Sequence, residues 1–293
     1  MNRRRAFDVA EGFPDIDAEE AMQADIHICY RPAPPLGRFV DRLWYWEGVP
    51  PAQARHRMVP DGCACLIINL FEDEIRDYTG ADDATLVRYS GAVVVGACSR
   101  YSVIDTHEQR AVLGVTFRPG GMAPFFAPSA DELINTHVDL RDVWGSEGAT
   151  VRERVLEQPT PQRRLRLVEH ELLRHAFRPL QRRPEVDFLL VQLNARPDLS
   201  IASLTEQAGL SARRVTRLFA LETGLTPKLY ARIRRFDKVL RMLEAADLPW
   251  IDLAQHCGYF DQSHLINECR ALSGCTPPQL RARRIGTTRH VAI

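Results

Sequence analysis

Lysine is nearly missing from this chain. Of 38 basic residues only Lys228 and Lys238 are lysine, so arginine carries the positive charge. Net charge is missing as well, because 38 acidic residues balance them. The whole-chain average therefore gives no reason to expect a nucleic-acid or membrane partner. Long apolar runs are absent. Stretches such as Cys63–Ile68 and Ala92–Val95 fall far short of the roughly 20 residues that cross a bilayer. Three arginines stand near the start, but no apolar stretch follows, which argues against a secretory signal. No His-x-His, Gly-x-Gly-x-x-Gly, P-loop or nucleophile-elbow pattern occurs, nor any low-complexity tract or solenoid repeat.

What is present is ordinary for a globular protein: 293 residues, 45% hydrophobic and 26% charged. That length suggests about two domains. The neutral average hides an asymmetry. From Glu185 to Ile293 there are 15 basic and 11 acidic residues, and the rest of the chain has 23 and 27. Seven cysteines, an odd number in a chain that is not small, point to free and mostly buried thiols in a reducing cytoplasm.

Residues 1–25 are charged and without period, and read as a mobile tail. After the punctuation at Pro32-Ala33-Pro34-Pro35, Leu36, Phe39, Val40 and Leu43 have the spacing of a short amphipathic helix. Short apolar runs follow at Trp44–Trp46, Cys65–Phe71, Ala92–Ala97 and Ala111–Phe117, separated by turns such as Pro60-Asp61-Gly62 and Pro119-Gly120-Gly121. Several strands without long helices between them predict an antiparallel sandwich or barrel over 26–145. From Pro128 a helical period takes over. Ser129 with Glu132 and Thr150 with Glu153 have capping-box spacing, and Thr160-Pro161 caps a helix carrying Leu165, Val168, Leu172 and Ala176. Residues 146–184 read as a helical linker, with a possible role in dimerisation, closed by the basic, proline-bounded stretch Arg178–Pro184.

Residues 185–285 are all helix in pattern, the basic stretch after Arg281 is expected to be frayed, and 286–293 form the tail. One order appears twice, over Ile201–Thr223 and Ile251–Ser273: a short helix, a glycine turn, a capped longer helix. That is the grammar of the helix-turn-helix, whose second helix enters the DNA major groove. Between them Pro227–Ala245 spans 19 residues, about 28 Å as a helix. A spacing near one turn of B-DNA, about 34 Å, would let both second helices meet successive major grooves on one face.

Gly258-Tyr259-Phe260-Asp261-Gln262-Ser263-His264-Leu265, with Gly274-Cys275-Thr276-Pro277-Pro278, resembles the signature of AraC/XylS-type transcriptional regulators. So does Leu210–Phe219 with Gly224-Leu225-Thr226-Pro227 upstream. The resemblance covers about Val186–Arg284 and implies a seven-helix domain with two helix-turn-helix units, promoter binding and control of transcription. It places base-facing positions at Arg213, Thr216 and Arg217 in the first unit, with Arg214 nearer phosphate. In the second they fall at Gln262, Ser263, Ile266 and Asn267. Arginine suits guanine O6/N7, Gln and Asn suit adenine, and Ile suits a thymine methyl. The chain departs from the family at Leu265 and Cys269, where Phe is common, and at Asn267, often Arg. The second unit is therefore expected to bind more weakly or read different bases. Arg232, Arg234, Arg235 and Lys238 on the linking helix admit phosphate contact, but a solvated face paired with Asp237 and Glu244 is the preferred reading for Arg232 and Lys238.

Tyr30–Trp144 is similar to an uncharacterised sensor domain often fused to such regulators. The likeness rests on Tyr30-Arg31-Pro32, Val59-Pro60-Asp61-Gly62-Cys63, Leu66–Leu70 and Gly114–Gly121. It implies a cupin-like barrel that senses a small molecule. The fold class expected is therefore α+β: an N-terminal antiparallel β-barrel with short helices and a C-terminal all-α domain. Trp44, Trp46, Phe117 and Arg118 are the candidate pocket, of a kind that suits an organic anion, though aromatic core packing is the commoner use. Cys63-x-Cys65 admits a thiol pair or half a soft-metal site, with core packing preferred. The leading expectation is a cytoplasmic, nucleoid-associated regulator without cofactor, catalytic or metal residues. Its partners would be double-stranded promoter DNA and a small-molecule effector, with RNA polymerase and a second copy as further candidates and no membrane. The competing classes are a thiol redox- or metal-responsive regulator and an enzyme domain on a DNA-binding anchor.

Overall fold

A computed structural model of the chain describes residues 25–49, 55–79, 84–245, 248–283 and 289–292. All but the last residue of the expected N-terminal tail lies outside them. Strands come first and helices follow, an α+β order. Antiparallel strands make two sheets. The first runs β1 (Ile26–Tyr30), β2 (Val40–Glu47), β9 (Ala111–Phe117), β4 (Cys65–Asn69), β7 (Ala92–Val95), β10 (His137–Asp139). The second runs β11 (His290–Ala292), β3 (Arg55–Met58), β8 (Ser102–Asp105), β5 (Ile75–Thr79), β6 (Thr85–Tyr89). Among the described residues the hydrogen-bonded ladders form these two sheets and not one closed barrel. The sheets are bridged at one edge, where His137 Nδ1 lies 3.5 Å from an Asp77 carboxylate oxygen.

Alternation decides which face of the first sheet is covered. Leu43, Tyr45, Leu66, Ile68, Val94, Leu113 and Val115 point one way and are buried. Against them pack α1 (Leu140–Leu156) and α2 (Pro161–Arg174), through Val151, Val155, Leu165, Val168 and Leu172. Each such side chain contributes roughly 1.5–3 kcal/mol when fully buried. Residues 140–174 are thus the lid of the sheet.

Several local expectations are corrected. Val40 and Leu43 are buried but belong to β2, not to a helix; only Leu36–Arg38 forms a 3-10 turn. A register shift between Val40 and Arg42 puts Val40 and Leu43 on one face, which imitates helical spacing. Ser129 and Glu132 do bond as a capping box, with Ser129 N–H donating to Glu132 at 2.7 Å, but in a turn that no helix follows. Thr150 lies inside α1, where its hydroxyl donates to the Glu147 carbonyl. The supposed frayed tail includes β11, which pairs with the edge strand β3.

Among the described residues the remaining helices are α3 (Pro184–Ala195), α4 (Ile201–Gln207), α5 (Ala212–Thr223), α6 (Pro227–Ala245), α7 (Trp250–His256), α8 (Gln262–Ser273) and α9 (Pro277–Arg283). These are the seven that the family resemblance implies. They surround one core, built on Leu193, Phe219, Tyr230, Phe236, Leu240, Leu265 and Leu272. Val59 and Ala97 from the sheet region and Val291 from β11 join that core.

Candidate nucleic-acid interface

The local sequence accounts for each reading helix. Ser211 caps α5 by accepting the Arg214 N–H, and Asp261 caps α8 by accepting the His264 N–H at 2.7 Å. Both helices end on a left-handed glycine, Gly224 at φ 78° and Gly274 at φ 69°. The hydroxyl one residue earlier closes both ends alike. Thr223 Oγ1 donates to Phe219 O and accepts from Leu225 N–H; Ser273 Oγ donates to Cys269 O and accepts from Cys275 N–H. Each landmark of the first unit recurs fifty residues later in the second.

The faces follow from the same period. Val215 and Phe219 are buried, as are Leu265 and Cys269 at the equivalent positions. Leu265 and Cys269, smaller than the family's Phe, are still fully buried, so the core closes over them. Turned outward, Arg213, Arg214 and Arg217 are exposed and Thr216 is half-buried; Gln262, Ser263 and Asn267 are exposed and Ile266 half-buried. The eight candidate contact residues therefore share the outer face of their helices.

Five cations of the linking helix α6 have partners within the protein. Arg232 Nε donates to Glu268 of α8 at 2.6 Å, a partner other than the Asp237 and Glu244 expected. Arg234 and Arg241 each lie 3.4 Å from Asp237. Arg235 sits over the Tyr259 ring, and Lys238 donates to the His256 carbonyl.

The four pocket candidates separate. Phe117 is fully buried against Phe125 and Phe126 beneath α1. Trp44 and Trp46 stand on the opposite face of the sheet, half-buried. The Trp44 indole lies over Gly114, where a Cβ would meet it at 2.2 Å, and donates to Thr116. Arg118 is past the end of β9, donating through Nε to Gly37 O at 3.0 Å.

Burial raises the Cys63 thiol well above its ordinary pKa and pushes Cys65 up to about 12, with Asp61 adding to both. Such thiols are poor nucleophiles at neutral pH. Glu147, Glu171 and His175 come close enough to share a cation. However, Arg154 holds the buried Glu171 bidentately at 2.9 and 2.8 Å, Arg174 adds a bond at 3.2 Å, and His175 stacks on Trp144. The cluster is an ion-pair network that ties α1 to α2. Sequence reasoning missed it because Glu147 and Arg154 on α1 lie 17 to 28 residues from Glu171, Arg174 and His175, with no shared motif.

Comparison with known proteins agrees with the geometry. Residues 204–283 match a helix-turn-helix domain family, and residues 29–139 match a domain of unknown function (DUF6597). The C-terminal region is thus similar to helix-turn-helix domains, and the N-terminal region to that domain of unknown function. The HTH-type transcriptional activator RhaS of Escherichia coli O157:H7 is 31% identical over 84 residues, 29% of this chain and 30% of RhaS. The virulence regulon transcriptional activator VirF of Yersinia enterocolitica is 26% identical over 114 residues, 39% of this chain and 42% of VirF. The chain thus matches less than half the length of these relatives. Among solved structures, ToxT from Vibrio cholerae O395 aligns over 80% of this chain and 98% of its own, at 8% identity and a TM-score of 0.41. No helix among the described residues is long and apolar enough to cross a membrane.

Proposed function

We propose that the chain is a sequence-specific DNA-binding regulator of transcription, under the control of a small molecule that acts on its N-terminal region. The observation that carries this reading is the repeated unit: two helices with matched caps, matched glycine stops and matched outward polar faces, joined by a 19-residue helix. Residues 185–285 form the reading domain, 26–145 the sensing domain and 146–184 the connection. In this reading Arg213 and Arg217 take guanine edges, Thr216 lies beside them and Arg214 takes phosphate. Gln262 and Asn267 face adenines, Ser263 is a neutral donor and Ile266 meets a thymine methyl. The internal partners of Arg232 and Lys238 support the assignment of both to structure.

The protein acts on promoter DNA at the nucleoid, with no catalytic step of its own. Dimerisation and contact with RNA polymerase are part of the proposal. The suppressed thiols weigh against a redox reading. The test is selection of bound duplexes from a random pool, followed by footprinting. Two protected major-groove segments about one helical turn apart on one face are expected. Failure to enrich any sequence at moderate salt, or a single protected segment, would reject the tandem docking.

A further inference from the structure

The two reading units differ at the residue just before each cap. A hydrophobic side chain at that place commonly packs back against the helix it introduces. In the first unit Leu210 stands there, half-buried against the core that holds Val215. In the second unit the place falls to Phe260, with the buried Leu265 following on α8. Phe260 does not take the seat. It is 90% exposed, more than any other large apolar side chain among the described residues. Tyr259, one residue earlier, enters the core instead, where the first unit has only Gly209.

Such exposure forgoes the stabilisation that burial of the ring would bring. A single exposed apolar side chain calls for no explanation by itself, but the position of this one does. The Phe260 N–H donates to His264 Nδ1 at 3.4 Å, and the His264 ring meets Tyr259 edge-on, with 5.2 Å between centroids. The turn thus fixes the Phe260 backbone at the N-terminal end of α8, next to Asp261, Gln262 and Ser263. That end of a reading helix is the one that reaches base edges. The faces of the two units also differ in charge. Arg213, Arg214 and Arg217 of α5 correspond to Ser263, His264 and Asn267 of α8, so the second unit has no guanidinium at these places. It carries an apolar ring at its tip. In the major groove the apolar group that a base pair presents is the C5 methyl of thymine.

We propose that Phe260 is a specificity-determining residue of the second unit, packing on the C5 methyl of a thymine at the edge of the α8 footprint. The ring neither donates nor accepts a hydrogen bond, so it selects thymine by apolar contact alone. It does so at a different base pair from Ile266. This inference rests on the DNA-binding reading above and adds to it a residue in the turn, ahead of the helix itself.

The test measures binding of the full chain to the most enriched duplex of the selection. Each thymine of the second protected segment is replaced in turn by deoxyuridine, which removes only the methyl. At one thymine the replacement is expected to raise Kd about fourfold for the native chain. The same replacement is expected to cost Phe260→Ala less than about twofold, and Ile266→Ala about fourfold as before. On the thymine duplex Phe260→Ala is expected to raise Kd about fivefold at an unchanged salt slope, because no phosphate contact is lost. The deoxyuridine series on the native chain needs no variant, so it stands even if a variant folds poorly. No methyl dependence in the native chain, or one of equal size in Phe260→Ala, would overturn the proposal. So would a variant that binds DNA as the native chain does but fails to control transcription, which would assign the ring to a protein partner. Two selected segments without methyl dependence reject the role of Phe260 alone, whereas no selected sequence rejects the DNA reading and this inference together.

Discussion

At the residue scale, the reading face makes two contrasting predictions. Arg217→Ala should cost about 1–3 kcal/mol on the selected duplex and relax base choice at one position. Equal losses on selected and random duplex would remove Arg217 from base readout. Arg214→Ala should weaken binding to both and lower the salt slope by about 1. Two buried imidazoles make a third. Burial holds His137 and His290 at about 4, with His56 adding to the effect on His290. An unfolded histidine binds its proton near pH 6.5, so acid favours the unfolded chain. Stability should therefore fall as pH drops from 6.5 to 5, by about 1.4 kcal/mol per unit for each. Asp77 beside His137 moderates that site. Urea midpoints that stay level over this window, or that fall as steeply in a variant carrying His137→Gln and His290→Gln, would contradict it.

At the element scale, the two glycines of the first unit differ in a measurable way. Both have positive φ, 66° at Gly209 and 78° at Gly224. A Cβ at Gly209 would meet nothing within 4 Å, whereas at Gly224 it would lie 2.7 Å from the Ala130 carbonyl oxygen. Gly209→Ala should cost only the left-handed penalty of about 1–2 kcal/mol. Gly224→Ala should cost more, because the loop at Ala130, whose N–H bonds Leu221 O, has to move. Equal urea midpoints for the two variants would mean that this loop yields freely. Caps and stops of this kind were legible beforehand because they are local: Ser211, Asp261, Gly224 and Gly274 act within one turn. Strands β3, β6 and β10 were not legible. Their sequences, Arg-His-Arg-Met, Thr-Leu-Val-Arg-Tyr and His-Val-Asp, carry little apolar alternation, and they form because neighbours in the sheet offer unpaired backbone.

At the scale of the whole molecule, the last strand acts as a strap. β11 pairs with β3, and Arg289 bonds both Pro60 O, at 3.1 Å, and Asp237 on α6. Arg57 of β3 in turn donates to Gly274 O, at the stop of α8. The sheet region therefore holds the C-terminal ends of both reading helices, through Ala130 in the first and Arg57 in the second. Arg289→Ala should cost about 2 kcal/mol, since Asp237 is largely buried and loses a cation. It should also split one thermal transition into two as the regions unfold separately. A single, unshifted transition would show that the strap carries no coupling.

The order and type of the helices after Pro184, the caps of α5 and α8, and the outward chemistry of those two helices were determined by sequence alone, whereas Ser200 makes no cap bond to α4. Each depends on interactions within a few residues and on a period that repeats. Distant partners decided the rest. Phe117 went into the core while Arg118 went to the Gly37 carbonyl, Val40 and Leu43 went to a bulged strand, and β11 went to an edge some 230 residues away along the chain. Such choices turn on which surfaces remain uncovered once the sheet and its helices have packed, and no short stretch of chain contains that information.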